Sequence, residues 1–329
     1  MSDPAHLHWG AEALWRQLSP LLPGISVEVA AQLDSTNSRL IERARLASGD
    51  PYAPVTQPGQ FDELERLAPT PLGRRAEDMR PCLLVAEQQT HGRGRMGRGW
   101  RSAAGASLTF SLALPLNSVD WSGLSLAVGV ALAEALDPLP QSGAAAAGGA
   151  GPRLGLKWPN DLWLIDAPGR GRKLGGILIE TVSVGQRRMA VLGVGLNVLP
   201  LALEGLSSGY ACLSELEPGI DAPRALARVA APLVQAVKAF EAQGFAPLQA
   251  LYARRDVLLG LPVRTTAAEV GAGIAEGVDA LGGLRVRAEQ LHHIISGEVS
   301  VRGVDVPPGT AEPQTPAGPV ARSRRPERG

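Results

Sequence analysis

The segment Thr90-His91-Gly92-Arg93-Gly94-Arg95-Met96-Gly97-Arg98-Gly99-Trp100 constrains this chain more than any other. It stands between two stretches that read as strands. Cys82 to Glu87 (CLLVAE) is a short buried strand; Ala106 to Leu114 alternates Ser107, Thr109 and Ser111 against Leu108, Phe110 and Leu112, a strand with two distinct faces. Three arginines therefore sit on a glycine-rich turn at the end of a sheet strand. Glycine lets the backbone approach a ligand closely, and each guanidinium offers a fork of donors to phosphate or carboxylate oxygens. The fitting ligand is a polyanion such as a nucleoside triphosphate. A solvated basic turn or an RGG-like nucleic-acid tract is the competing reading, but such tracts usually repeat inside disordered sequence. This one is single and flanked by strands.

The segment is not G-x-x-x-x-G-K-[ST], so nucleotide binding here is of a non-P-loop kind. No nucleophile–base triad or zinc spacing stands out either. The 329 residues, 45% of them hydrophobic, suffice for a large domain plus a smaller one. A formal net charge of zero argues against a protein devoted to nucleic acid. No run of 18 apolar residues predicts a membrane span. Met1 to Gly10 lacks a signal-peptide core, so a cytoplasmic location is expected. Cys82 and Cys212 lie far apart without metal or redox spacing and read as small buried hydrophobes. Of 32 Lys plus Arg, only Lys157, Lys173 and Lys238 are lysines. Where such a chain keeps a lysine, a compact ammonium rather than a planar guanidinium is indicated.

Periodicity and caps predict a helix over about 5–22, a strand at Ile25–Ala30, and a helix opened by the N-cap cluster Asp34-Ser35-Thr36-Asn37-Ser38. Further helices are expected at Leu124–Leu136 and over 222–243. Strands are expected at Leu154–Trp158, Asp161–Ile165, Gly175–Thr181 and Met189–Val198. From about Gly260 the pattern turns to short strands at Pro262–Thr266, Ala272–Val278, Leu284–Arg287 and Ile294–Val301, a small β-barrel. The Pro-rich stretch at 50–80 and the Ala/Gly stretch at 138–153 read as flexible insertions, and the Pro/Arg-rich tail as disordered.

Three more segments carry polar groups suited to an anionic ligand. Gly155-Leu156-Lys157-Trp158-Pro159-Asn160-Asp161 exposes an amide, a carboxylate and a lysine at one strand end; the pairing suits a Mg–nucleotide site, though Pro-Asn-Asp is also an ordinary turn. In Arg172-Lys173-Leu174-Gly175-Gly176-Ile177-Leu178-Ile179-Glu180 a lysine precedes the glycine pair that opens a buried strand. It is either a ligand group or a solvated strand start. Val191-Leu192-Gly193-Val194-Gly195-Leu196-Asn197 places glycines in a strand, which marks either close approach by a ligand or a plain core strand.

In this order, S-T-N, Q-x-x-G-R-G-R-x-G-R-x-W, K-W-P-N-D, K-x-G-G-I-L-x-E and G-x-G-x-N, the sequence resembles the biotin–protein ligases over roughly residues 25 to 304. The resemblance implies an α+β fold: a mixed β-sheet with helices packed on it, of the class II synthetase-like kind, over 1–258. It also implies a C-terminal SH3-like β-barrel over 259–304, leaving a tail at 305–329. Only about 30 residues precede the catalytic pattern, so the DNA-binding domain of some members, and a repressor role, are not expected.

The implied activity is that of a biotin–[acetyl-CoA-carboxylase] ligase. It consumes ATP with Mg2+ to activate biotin, then biotinylates a lysine of a biotin carboxyl carrier protein or acyl-CoA carboxylase subunit. Ser35, Thr36 and Asn37 would line the biotin pocket with Gln89. Arg93, Gly94 and Arg95 would belong to the loop over biotin, with Arg95 and Lys173 catalytic at the biotin carboxylate and α-phosphate. Arg98, Trp100, Lys157 and Asn160 would serve ATP, Asp161 the magnesium, and Asn197, Glu298 and Arg302 the nucleotide side. No nucleic-acid or membrane partner is expected, and a homodimer is left open. A lipoate- or octanoyl-type ligase and a nucleic-acid-binding protein are the alternatives; the lipoate-type families carry a different arginine–glycine motif.

Overall fold

The structure, a computed structural model, describes residues 7–46, 79–117, 120–139, 153–167, 170–184, 187–201, 209–266, 270–295 and 301–303. The expected insertion at 50–80 lies outside them except for 79–80, that at 138–153 except for 138–139 and 153, and the tail at 305–329 entirely. The first helix, α1 (Ala11–Leu18), is shorter than the span expected over 5–22. Leu21 and Leu22 fit the helical period, but Pro20 and Pro23 each lack an N–H, and Gly24 turns the chain at φ 82.

The strands follow as β1 (Ser26–Leu33), β2 (Cys82–Gln89), β3 (Gly92–Arg93), β4 (Gly99–Trp100), β5 (Ser107–Pro115), β6 (Arg153–Lys157), β7 (Asp161–Ala167), β8 (Arg170–Val184) and β9 (Arg187–Asn197). Seven of them form one mixed sheet in the order β1-β2-β5-β9-β8-β7-β6. β1 and β2 are parallel and the remaining pairs antiparallel. Helix α2 (Thr36–Leu46) covers one face, where Leu40, Ile41 and Ala44 meet Leu84, Ala86 and Val191. The other face carries α1, α3 (Leu124–Leu136) and α5 (Ala222–Gln243), which bury the larger core with Leu108, Phe110, Leu112, Leu192 and Val194. Both long helices fall where the periodicity puts them. Asp221 caps α5 by accepting from Arg224 N at 2.8 Å. The short helices α4 (Leu213–Leu216) and α6 (Gln249–Ala253) flank α5.

The alternation in β5 is real, but neither face meets water. Ser107, Thr109 and Ser111 are as buried as their apolar neighbours. A buried hydroxyl needs a partner; Thr109 Oγ1 donates to Ala86 O at 2.7 Å, and Ser111 reaches α2. β8 is longer than Gly175–Thr181, so Lys173 lies inside the strand rather than before it. Trp163 pairs with Lys173 and Leu162 with Gly175, which leaves Leu174 as an extra residue in β8. Strand side chains alternate faces, so residues 173 and 176 would normally point apart; the bulge puts them on one face.

The C-terminal strands β10 (Pro262–Thr265), β11 (Ala272–Val278), β12 (Leu284–Arg287), β13 (Leu291–Ile294) and β14 (Val301–Gly303) form an antiparallel sheet ordered β13-β12-β11-β10-β14. Of the strand expected over Ile294–Val301, Ile294 ends β13 and Val301 opens β14, and 296–300 lie outside the described residues. β13 and β14 are the two edges, so the described residues make an open five-stranded sheet and do not close the expected barrel. The turn between β11 and β12 packs against the large sheet's helices. A Cβ on Gly282 would sit 2.6 Å from Gly123 Cα, and Trp158 Nε1 donates to Gly282 O at 3.0 Å.

Candidate active site

One end of the large sheet opens into a cavity of about 200 Å³. The motifs spread between residues 35 and 195 of the chain converge on it: Ser35-Thr36-Asn37, Gln89, the arginine–glycine segment, the Lys157–Asp161 turn, Lys173 and the glycines of β9.

The arginine–glycine segment is a small hairpin. Gly92 pairs with Trp100 and Arg93 with Gly99, and Gly94 N donates to Arg98 O at 2.7 Å. A Cβ on Gly92 would lie 2.4 Å from Trp100 O, so the first strand of the hairpin tolerates only glycine there. Met96 at the tip takes a left-handed conformation, φ 56, and is exposed. The Trp100 ring returns over the sheet and rests on Gly195, whose Cβ would be 2.5 Å from the ring. The glycine in β9 is therefore a seat for an indole.

Arg95 and Arg98 face the cavity from this hairpin. Burial lowers the Arg95 guanidinium from its ordinary value; Asp161 opposes that and Arg98 adds to it. Two guanidiniums crowded in a part-buried cleft are relieved by an anion, which is the electrostatic signature of a phosphate or carboxylate site. Opposite them, Lys173 Nζ lies 2.7 Å from Asp161 Oδ1. Gly176 lies beneath, and a Cβ there would be 3.6 Å from the ammonium.

The wall formed by α2 is a closed polar network. Ser35 Oγ accepts from Ser38 N at 3.4 Å and so opens the helix. Gln89 Oε1 accepts from Thr36 N at 2.7 Å and Thr36 Oγ1 at 3.1 Å. The Ser111 hydroxyl lies 2.6 Å from Thr36 Oγ1 and donates to Asn37 Oδ1 at 2.5 Å. Asn37 Nδ2 donates to Leu178 O at 3.2 Å and to Glu180 Oε2 at 3.0 Å. Asn37 thus spends its amide on the protein. Gly193 makes room for it, since a Cβ there would lie 2.3 Å from Asn37 Oδ1.

The Lys157–Asp161 turn contains a cis Trp158–Pro159 bond and is held from behind. Ser125 Oγ donates to Pro159 O at 2.9 Å, and Asn160 Nδ2 donates to Ile177 O at 2.8 Å. Asn160 is therefore a brace of the turn. Lys157 stands over the Trp163 ring, 4.2 Å from its centre, and also borders the cavity.

Of the residues predicted from sequence, Ser35, Thr36, Asn37, Gln89, Arg93, Gly94, Arg95, Arg98, Trp100, Lys157, Asn160, Asp161 and Lys173 all line this cavity. Asn197 does not. It is buried and donates to Ala211 O at 2.9 Å and Lys173 O at 3.4 Å, bracing the strand that carries Lys173. Glu298 lies outside the described residues; Arg302 lies in β14, paired in register with Arg264. Sequence reasoning passed over Ser111 and gave Glu180 no role. The polar alternation of β5 was the available signal for Ser111. Among the described residues no three His, Cys, Asp or Glu side chains group as a metal site, and no helix is long and apolar enough to cross a membrane. Asp161, engaged by Lys173, suits a Mg2+ that keeps its waters and arrives on substrate phosphates, with at most one protein carboxylate. Cys82 and Cys212 are both buried free thiols; burial pushes Cys82 up to about 12, where no thiolate forms at neutral pH.

A mixed sheet with a cationic cleft at one end and a hairpin across it is the site of a protein that binds an anionic ligand. The sequence profile of the Biotin/lipoate A/B protein ligase family matches residues 75–197. The biotin–[acetyl-CoA-carboxylase] ligase of Mycobacterium tuberculosis is 33% identical over 84% of this chain and 85% of its own length. The bifunctional ligase/repressor BirA of Escherichia coli is 30% identical over 88% of this chain and 78% of its own. Among solved structures, a biotin protein ligase from Aquifex aeolicus in complex with biotin and ATP shares the fold, with a TM-score of 0.59 at 24% identity over 84% of this chain and 98% of that one. The chain belongs to the biotin protein ligase family.

Proposed function

We propose that this protein activates biotin with ATP to biotinyl-5'-adenylate and transfers the biotinyl group to a lysine of a biotin carboxyl carrier protein, as a biotin–[acetyl-CoA-carboxylase] ligase. The observation that carries this reading is the convergence of Arg95, Arg98 and Lys173 on one cleft floored by glycines of β8 and β9. Two anions, a carboxylate and a triphosphate, must be brought together for in-line attack on the α-phosphorus. Clamped cations offset their repulsion and stabilise charge that builds in the transition state.

In this reading the biotin carboxylate attacks the α-phosphorus, an acyl–phosphate bond forms and pyrophosphate leaves. The carrier lysine, as free amine, then attacks the acyl carbon and AMP leaves. Lys173 and Arg95 are the catalytic cations. Ser35, Thr36, Asn37 and Gln89 shape the biotin end, the first three through the network that fixes α2. Arg93 and Gly94 belong to the covering hairpin. Arg98, Trp100 and Lys157 serve the nucleotide, Asn160 does so through the turn it braces, and Asp161 would hold the magnesium that offsets phosphate charge. Asn197 supports the site from below, and Glu298 and Arg302 remain assigned to the nucleotide side on motif alone.

Residues 1–258 form the catalytic unit in this reading and 259–304 the small SH3-like unit, whose β11–β12 turn supports Trp158. The reading includes no DNA-binding function and a cytoplasmic setting, in keeping with a net charge of zero; a homodimer is compatible with it. Incubation with ATP and labelled biotin tests the whole. Biotinyl-adenylate and a labelled carrier lysine are expected. Failure to form the adenylate, or transfer of lipoate or octanoate instead, would remove it.

A further inference from the structure

Glu180 has no part in the chemistry above, yet it joins two walls of the pocket. Its Oε1 accepts from Arg93 Nη2 at 2.8 Å and its Oε2 from Asn37 Nδ2 at 3.0 Å. Arg93 turns its other amino group to Ser38 Oγ, 3.3 Å away in the first turn of α2. The arginine thus spends both amino groups on the body of the protein, while Arg95 and Arg98 face the cavity. Among the described residues, Glu180 is the one carboxylate hydrogen-bonded to an arginine of the hairpin. It rises from β8, the strand that also carries Lys173 and Gly176. One rigid strand therefore holds both the ammonium of the cleft and the tether of its cover.

Resting on the ligase reading, we propose that Glu180 is a positioning residue that latches Arg93, holds the arginine–glycine hairpin closed over the activated acyl group, and with its second oxygen sets the Asn37 amide in the pocket wall. A carboxylate suits this task because it accepts from both partners at once. A glutamine would turn its NH2 toward one of two donors.

Trypsin reads the latch without biotin or ATP, because cleavage after Arg95 and Arg98 requires the hairpin to open. Glu180→Gln is expected to speed that cleavage about tenfold, the effect of losing one charge-assisted hydrogen bond at a partly exposed site. Arg93→Gln should do the same, and the double variant no more than either alone. In turnover, Glu180→Gln should raise KM for biotin and the escape of biotinyl-adenylate about tenfold, with a smaller rise in KM for ATP, since Arg98 and Trp100 sit on the same hairpin, and an unchanged unfolding midpoint. Wild-type cleavage in Glu180→Gln, additive single effects, or an equal loss for ATP and biotin would each overturn the latch. Should Glu180→Gln unfold early, Arg93→Gln decides alone, since Arg93 is half exposed; unchanged cleavage there also overturns it. A wild-type protein that forms no adenylate would fail the ligase reading while the cleavage result still stood.

Discussion

Lys173 Nζ and Asp161 Oδ1 stand 2.7 Å apart across the mouth of the cleft, each side chain part exposed. Such a pair is worth about 1 kcal/mol or less, so an arriving carboxylate or phosphate displaces it at little cost. The Lys173 side chain is thereby held in place before substrate comes, with its partner on the flanking strand. The arrangement depends on the extra residue Leu174, which turns Lys173 onto the face of Gly176.

Lys173→Arg tests whether the ammonium itself is required. The charge is kept, but a planar fork replaces a point donor above Gly176. Adenylate formation is expected to fall by about a hundredfold, the usual scale for losing one placed charge stabiliser. Single-turnover release of pyrophosphate measures it; a near-normal yield would remove Lys173 from the catalytic step.

Arg95→Gly removes the most buried cation of the hairpin. Formation of the adenylate should slow, and the adenylate that forms should escape into solution and label unrelated lysines. Chromatography of free biotinyl-adenylate over time checks this. Retention as tight as in the wild type would be incompatible with the assigned role.

Gly195→Ala places a methyl group 2.5 Å from the Trp100 ring. Neither the sheet backbone nor the hairpin can yield without loss, so destabilisation of about 1–3 kcal/mol is expected. The indole should also be lifted from its seat. Trp100 fluorescence should then shift and KM for ATP rise, with the biotin end less affected.

Asp256 sits between Tyr252 and the C-terminal sheet, and its Oδ2 has no hydrogen-bond partner. Burial pushes its carboxyl up to about 6 from 3.8, partly offset by the N–H groups of Leu258 and Leu259. A carboxyl raised in the folded state favours folding below about pH 4 and loses that contribution as pH climbs through 6. The gap corresponds to roughly 3 kcal/mol. Asp256→Asn should therefore raise the unfolding midpoint at pH 8 and change it little at pH 4. Urea unfolding across pH 4 to 8 reads the difference; an equal gain at both ends would exclude ionisation as its cause.

The chemistry of this protein is written locally. The arginine–glycine segment, the two motif lysines and the N-cap cluster before α2 are composition and spacing, and a chain that otherwise chooses arginine makes the lysines visible. The long helices and most strands were legible for the same reason: apolar period and caps act over a few residues. Tertiary structure decided what depends on partners far away in sequence. It put the hydroxyl face of β5 under α2, where Ser111 answers Thr36 and Asn37, although alternation alone says only that two faces exist. It turned Asn197 and Asn160 into braces by giving their amides backbone carbonyls to bind. It joined Arg93 to Glu180, 87 residues on. A motif fixes which donors and charges a chain owns. Only packing determines which are satisfied by the protein and which are left facing the cleft, because a buried polar group takes the nearest partner that the fold brings to it.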